Sequence, residues 1–246
     1  PLNVPPEVVN TMIFRLTHCL SLVFCFGISL PAYAVWDIVA WDPPFDYQGQ
    51  MRPLLYQPIE KATQPWHLCV TYPHLKDPYW LSVNYGMVEE VKRLGVNMTV
   101  LEAGGYPQLS TQIEQLKHCT NSASDAIIVG TVSFNGLSPS IRKIAQTTPV
   151  VAAVNDIENI GISAKAAVSW YSMGEKVGQY LAQRHPIKGD NEAKVAWFPG
   201  PKESGWVKFI DDGFHDGIAG SGVQIVAVKW GDTGKEIQRN LLQEVL

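Results

Sequence analysis

Aromatic side chains recur where predicted strands end and predicted helices begin. Tyr79 and Trp80 follow the first strand, Tyr106 follows the second, and Trp170 directly precedes the first predicted helix of the second half. In an open parallel sheet, ligands bind outside the carboxyl ends of the strands. Aromatic rings around a cavity suit a methylated cation through cation–π attraction, and Tyr hydroxyls or Trp ring nitrogens can donate to a ligand oxygen. The aromatic set therefore predicts a binding site for a small methylated-ammonium ligand.

Asp77 is the carboxylate nearest to these aromatics in the sequence, and it could balance a positive ligand nitrogen. Each ring taken alone is equally consistent with core packing or with a contact between two lobes. It is the set, repeated at successive strand ends, that favours a binding site.

Motifs for other chemistry are absent from the sequence. No dinucleotide-binding glycine motif, phosphate-binding loop or hydrolase nucleophile elbow is present, and the six histidines show no metal-ligand spacing. The turn 200–205 could hold an anion at a helix start, although Ser204 as a simple helix cap explains it equally well. We therefore expect no catalytic residue, no metal and no cofactor, and a protein that is not an enzyme.

The charge of the chain bears on its partners. The formal net charge is -4 at pH 7, and no cluster of Lys or Arg is present. Nucleic-acid binding needs basic side chains to neutralise phosphates, so nucleic acid is not an expected partner.

Short apolar runs alternate with amphipathic stretches from residue 66 onward. The predicted strands are Trp66–Tyr72, Val96–Glu102, Ala126–Gly130, Pro149–Val154, Ala193–Phe198 and Val223–Trp230. The predicted helices are Tyr79–Leu94, Gln108–Cys119, Ser138–Gln146, Tyr171–Arg184, Gly205–Ala219 and a helix from Gly234 onward. This alternation predicts an α/β fold with parallel sheets. Residues 155–169 lack a period and are interpreted as a crossover between two lobes.

The first part of the chain has the order of a secretory signal peptide. Residues 1–34 comprise upstream residues, Arg15, an apolar run over 19–30 and a small-residue stretch that ends at Ala34. The apolar run is shorter than the roughly 20 residues that a membrane helix needs, although an uncleaved membrane anchor is the alternative. We expect cleavage after Ala34 and a periplasmic location. Residues 35–65 have no period and predict an extended N-terminal arm.

The stretch 68–87, with its Tyr-Pro-x-Leu-Lys-Asp-x-Tyr-Trp segment, resembles the trimethylamine N-oxide-sensing members of the ribose-binding-like periplasmic binding proteins. The resemblance continues through 100–106, 168–174, 199–201 and 236–244. It implies a type I periplasmic binding protein fold with two lobes that close around a ligand. We expect an N-terminal lobe at 66–160 and an incomplete, truncated C-terminal lobe at 161–246.

The same resemblance implies a function. The expected ligand is trimethylamine N-oxide or a similar methylated amine, held by Asp77, Tyr79, Trp80, Tyr106 and Trp170. The expected partner is the periplasmic domain of a membrane sensor histidine kinase. The alternative is a sugar-binding component of a transporter, although the predicted pocket loops are poor in Arg, and Asp77 and Asn155 are their main polar residues.

Cys69 and Cys119 are the two cysteines that remain after the predicted signal peptide, and in an exported protein they can form a disulfide or stay as buried free thiols. In the fold that the resemblance implies, the helix after the second strand returns to the end of the sheet where strands begin. Cys119 would then approach Cys69, and we expect a disulfide between them.

Overall fold

The computed structural model describes residues 35–46, 49–187 and 192–246. The predicted signal peptide and its cleavage site at Ala34 lie outside these residues. The chain divides into two compact units, Pro1–Ile59 and Glu60–Leu246. Within the described residues, no helix combines the length and the apolar character that crossing a membrane requires.

The first unit contains a β-hairpin. Strand β1 (Trp36–Asp42) pairs antiparallel with β2 (Gln50–Tyr56), with Trp36 opposite Tyr56. The stretch predicted as an extended arm contains these two strands, which the sequence analysis did not predict. Prolines and the absence of a period obscured the strands, but both strands of a two-stranded sheet are edges, where Pro53 is tolerated.

The second unit is built around a five-stranded parallel sheet. Its strands are β3 (His67–Tyr72), β4 (Asn97–Glu102), β5 (Ala126–Val129), β6 (Val150–Val154) and β7 (Ala164–Ala167), in the order β4-β3-β5-β6-β7. The connecting helices are α1 (Pro78–Leu94), α2 (Leu109–Asn121) and α3 (Ser138–Ile144). Helix α1 begins at an Asp77 cap followed by Pro78 and ends at Gly95, which adopts the left-handed conformation at φ 69°.

A second parallel sheet follows in the same unit. Helix α4 (Trp170–Arg184) leads to strands β8 (Ala193–Gly200) and β9 (Val223–Trp230), which are joined by α5 (Gly205–Ile218) and followed by α6 (Lys235–Gln243). Two parallel sheets with helical connections confirm the predicted α/β, two-lobed architecture.

Strand β7 lies inside the segment predicted as a crossover. Its sequence, Ala-Lys-Ala-Ala, has no β-branched residue, yet it pairs in parallel with β6 along the edge of the first sheet. A short strand of small residues has almost no signal of β-propensity in the sequence, because that signal comes from β-branched and aromatic residues. It forms here through pairing with β6. The first sheet therefore extends beyond residue 160, and the exact lobe boundary stays a prediction.

Glycines allow the helices α4 and α5 to approach closely. A Cβ added to Gly178 would lie 2.6 Å from the Phe214 carbonyl oxygen, and a Cβ on Gly217 would meet the α4 backbone in the same way. Because the clashing atoms are backbone, the two helices would have to move apart to accept a methyl group.

We expect Gly178→Ala to lower the free energy of unfolding by about 1–3 kcal/mol. The control is Gly86→Ala on α1, where an added Cβ meets nothing within 4 Å. There the better helix propensity of Ala should raise stability by up to about 1 kcal/mol. Urea unfolding followed by circular dichroism measures both. The same sign of change in both variants would contradict the close-packing explanation.

The core of the first sheet contains the disulfide. Cys69 on β3 is joined to Cys119 on α2, as the resemblance implied, and both residues are fully buried. Leu116, Ile127 and Val150 pack in the same cluster.

Candidate ligand-binding site

The loop after β3 places Asp77 at the start of α1. One carboxylate oxygen of Asp77 accepts a hydrogen bond from the Trp80 amide at 3.1 Å, and the other lies 3.6 Å from His74 Nε2. No Lys or Arg in the described part of the chain forms a salt bridge with Asp77. Burial raises the pKa of Tyr79, and the nearby Asp77 carboxylate adds a smaller effect in the same direction.

Trp80 is part of the core as well as of the predicted site. Its side chain is only 2% exposed, and its ring packs against Tyr72 with 5.3 Å between centroids. A Cβ on Gly130 would lie 2.5 Å from the Trp80 ring, so the ring rests directly on the chain that follows β5. The predicted ligand contact of Trp80 is therefore combined with a structural role.

Tyr106 lies at the centre of a buried hydrogen-bond network. Its hydroxyl accepts hydrogen bonds from Trp80 Nε1 at 3.4 Å and from Asn155 Nδ2 at 3.1 Å. Asn155 also donates to the Thr131 carbonyl, so its amide nitrogen is engaged within the protein. Burial raises the pKa of Tyr106 to about 12, which keeps the phenol neutral and able to donate.

Tyr79 and Trp170 form the more accessible part of the site. Tyr79 is 46% exposed, and its ring centroid lies 6.0 Å from that of Trp80 and 6.3 Å from that of Trp170. Trp170 starts α4, and its Nε1 donates to the Val154 carbonyl at the end of β6. The four predicted aromatic residues are thus brought together from both lobes.

Trp206 was missed by the sequence analysis. It lies in the first turn of α5, with its ring centroid 5.4 Å from Trp170 and 6.0 Å from Tyr106. The signal was available, since Trp206 follows β8 just as Tyr79 and Trp80 follow β3. We call the five residues Tyr79, Trp80, Tyr106, Trp170 and Trp206 the aromatic cluster.

Two loops from different sheets meet beside the aromatic cluster. His74 Nε2 lies 2.9 Å from Thr233 Oγ1, and Lys76 donates to Asp232 at 2.9 Å. His74 is 1% exposed, and burial lowers its pKa, although Asp77 acts in the opposite direction. The lowered pKa favours the neutral ring. These contacts join the loop after β3 to the loop after β9, so the two lobes share polar contacts at the site.

A separate apolar groove of about 400 Å³ lies between α1 and the first sheet. Its lining residues are Leu68, Val83, Gly86, Met87, Glu90, Val91, Leu94, Val96, Met98 and Ile128. It contains no aromatic ring for a cation and no nitrogen donor side chain for a ligand oxygen. The aromatic cluster is therefore the better candidate for binding a charged small molecule.

The described residues contain no group of three or more His, Cys, Asp or Glu that could hold a metal ion. The turn 200–205, considered above as an anion site, places Ser204 at the start of α5. The Ser204 hydroxyl donates to the Pro201 carbonyl and makes no hydrogen bond to the helix amides. The simple cap expected of Ser204 is therefore not formed by its side chain.

Comparison with protein families matches residues 65–246 to the periplasmic binding proteins and sugar binding domain of LacI family. Among curated proteins, the periplasmic protein TorT of Escherichia coli strain K12 is 42% identical over 219 residues, which cover 88% of this chain. The chain spans 60% of the length of that relative.

Solved structures show the same relationship. An ABC transporter solute binding protein from Bradyrhizobium sp. BTAi1 with bound bis-tris has 46% identity and a TM-score of 0.68, covering 89% of this chain and 66% of that one. Complexes of the TorS sensor domain with TorT, without ligand and with TMAO, are both 44% identical, with TM-scores of 0.63 and 0.61. Each covers 73% of this chain, and 62% and 61% of the respective matched chains.

Proposed function

We propose that this chain binds trimethylamine N-oxide or a similar methylated amine between its two lobes. The premise is its family: the chain belongs to the periplasmic binding proteins and sugar binding domain of LacI family. The family is the one that the sequence motifs indicated. Ligand closure would then alter the surface presented to the periplasmic domain of a membrane sensor histidine kinase.

The observation that carries this proposal is the aromatic cluster next to Asp77. Rings from both lobes lie 5.4 to 6.3 Å apart and are in mutual contact, so a ligand can enter only when the lobes separate. A positive nitrogen between these rings would gain cation–π attraction, and Asp77 would supply the balancing charge. In this proposal Asp77, Tyr79, Trp80, Tyr106 and Trp170 contact the ligand.

The ligands of two similar proteins support the same chemical class. One TorS–TorT complex was solved in the presence of TMAO, and the Bradyrhizobium protein was solved with bound bis-tris. Each of these molecules has a nitrogen bonded to three carbon atoms. We infer that the aromatic cluster of this chain would hold that shared group, when it carries positive charge, through cation–π attraction.

The proposed location is the periplasm, reached through the signal peptide predicted to end at Ala34. The proposed role is binding and signalling without catalysis, as in a family of ligand-binding proteins. TorT, at 42% identity, is itself described as a periplasmic protein.

A transporter component is the second candidate, favoured by the description of the Bradyrhizobium protein as an ABC transporter solute binding protein. A sugar ligand is the less favoured form of this alternative. Sugar hydroxyls each need a polar partner, yet the amide nitrogen of Asn155 already donates to Tyr106 and Thr131.

We expect Tyr79→Ala to weaken binding of trimethylamine N-oxide by roughly tenfold, because it removes an accessible ring of the cluster. The matched control is Tyr85→Ala on the same helix, where the tyrosine is 67% exposed and outside the cluster. Calorimetric titration with trimethylamine N-oxide, and with ribose as the competing ligand class, measures both variants. Ribose binding without amine-oxide binding would reject the proposal in favour of sugar transport.

The signalling role has its own experiment. The kinase's periplasmic domain should bind this protein with an affinity that changes when trimethylamine N-oxide is added, since a ligand acts only through its differential affinity for two states. Amine-oxide binding without any kinase association would favour the transporter role.

A further inference from the structure

We propose that His74 makes the closure of the two lobes sensitive to pH, so that protonation of its ring separates the loop after β3 from the loop after β9. This inference rests on the proposed function, in which closure of the lobes accompanies ligand binding. It adds a regulatory input, since mildly acidic pH would then weaken binding without any change in the ligand contacts themselves.

His74 lies where the loops of the two lobes meet. Its Nε2 atom lies 2.9 Å from the hydroxyl oxygen of Thr233, in the loop after β9. The ring also packs edge-on against Tyr106, with 5.6 Å between the ring centroids. His74 is only 1% exposed, and part of its cover comes from the second lobe. Separation of the lobes would therefore remove the Thr233 contact and admit water to the ring.

The second ring nitrogen of His74 has no partner. Nδ1 is buried and makes no hydrogen bond to any of the described residues. In the protonated ring both nitrogens carry hydrogen, so Nδ1 would become a buried N–H without an acceptor, in a ring that also carries a buried positive charge. Both changes cost free energy inside the protein, whereas water satisfies them. The closed lobes therefore favour the neutral ring, and the open lobes accept the protonated one.

Charged groups around His74 partly oppose the effect of burial. They come from its own loop, from the end of β4 and from the loop after β9, and they are Asp77, Lys76, Asp232 and Glu102. Burial is the largest effect and lowers the pKa of His74 from its ordinary value of 6.5, although Asp77, 3.6 Å from Nε2, acts in the opposite direction. Tyr106 stays neutral, because burial raises its pKa to about 12.

The direction of the pH effect follows from the two environments of the ring. With the lobes open, the ring is solvated and titrates near the ordinary histidine pKa of about 6.5. With the lobes closed, the pKa of His74 is lower, so the open form binds more protons as the pH falls. Closure is then fully favoured above about pH 6.5 and becomes progressively less favourable below it.

Calorimetric titration with trimethylamine N-oxide at about pH 7.5 and about pH 5.5 tests the inference, because these values lie on either side of the ordinary histidine pKa. We expect the Kd of the unsubstituted protein to rise by up to about tenfold at the lower pH, where about nine tenths of the solvated rings are protonated. His74→Gln keeps a neutral side chain that can bond to Thr233, so it should lose this response.

The matched control is His67→Gln. His67 Nε2 also lies 2.9 Å from a threonine hydroxyl oxygen, but that threonine is Thr99 within the first lobe. This variant should therefore keep the pH response of the unsubstituted protein. Any titration of the ligand itself affects all three proteins alike and cancels in the comparison.

Nuclear magnetic resonance titration of the His74 ring in the unsubstituted protein gives a second measurement, which does not depend on the folding of a variant. We expect the pKa of His74 to be lower with trimethylamine N-oxide bound than without it, because binding and protonation are linked. An equal pH response in the unsubstituted protein and His74→Gln, or a His74 pKa that the ligand raises or leaves unchanged, would overturn the inference and leave the proposed function intact. Absence of binding at both pH values would overturn the proposed function, and this inference with it.

Discussion

Trp80→Ala should lower the free energy of unfolding by about 3–5 kcal/mol, the range for removing a buried large aromatic side chain. The ring is 2% exposed, packs against Tyr72 and rests on the backbone at Gly130. Truncation would leave a cavity at this contact and remove a donor to the Tyr106 hydroxyl. Urea unfolding followed by far-ultraviolet circular dichroism measures the loss.

Trp80→Phe is the comparison variant, because it separates loss of the indole N–H from loss of the whole buried ring. It keeps most of the buried ring, so we expect a smaller loss of about 1–2 kcal/mol. If Trp80→Ala changed stability by less than about 1 kcal/mol, the ring would not be the core residue that the structure describes.

The burial of Trp80 also decides how ligand binding should be tested. Loss of binding by Trp80→Ala would not distinguish a lost ligand contact from a smaller fraction of folded protein. Tyr79 is adjacent in sequence but 46% exposed, so its truncation should leave stability nearly unchanged. Tyr79→Ala is therefore the informative variant for binding, whereas Trp80→Ala is informative for folding.

The double variant Cys69→Ala/Cys119→Ala should lower the free energy of unfolding by about 4 kcal/mol. The disulfide joins residues separated by 50 positions, and in the chain-entropy model its removal frees a loop of that length in the unfolded state. Because both positions are fully buried, replacing both cysteines by Ala avoids leaving a single reactive thiol in the core. Urea unfolding provides the measurement.

The matched control is the unsubstituted protein with its disulfide reduced. It keeps both sulfur atoms, so it isolates the covalent link from the small packing change caused by the two Ala side chains. If the reduced protein and the double variant have the same free energy of unfolding, the loss of stability comes from the missing covalent link. A double variant as stable as the oxidised protein would contradict a stabilising disulfide.

Local sequence features were sufficient to predict most helices and strands of the second unit. The predicted helix Tyr79–Leu94 is observed as Pro78–Leu94, and the strand Val223–Trp230 has the predicted bounds. Apolar periodicity, the Asp77 cap and Gly95 are properties of short segments, so their consequences can be derived from neighbouring residues. The β1–β2 hairpin and β7 were missed because their stability depends on pairing with another strand.

The gathering of the aromatic residues followed from topology, because the carboxyl ends of parallel strands meet at one edge of a sheet. Their individual environments did not follow. Tyr79 and Trp80 are neighbours in sequence, yet one is half exposed and the other is buried against Gly130, a residue contributed by a different strand end. Burial depends on what the rest of the chain packs against a residue, which no local pattern contains.

Trp206 shows most clearly which properties follow from the sequence and which depend on tertiary contacts. Its position after a strand was visible in the sequence, but its contacts with Tyr106 and Trp170 arise only when the two lobes come together. Likewise, Trp170 and Trp206 differ in the hydrogen bonding of the indole N–H. Trp170 donates to the Val154 carbonyl, whereas the N–H of Trp206 has no acceptor in the described chain. Residue type and periodicity determine which chemistry is available, and long-range packing determines which of those groups are left to meet a ligand.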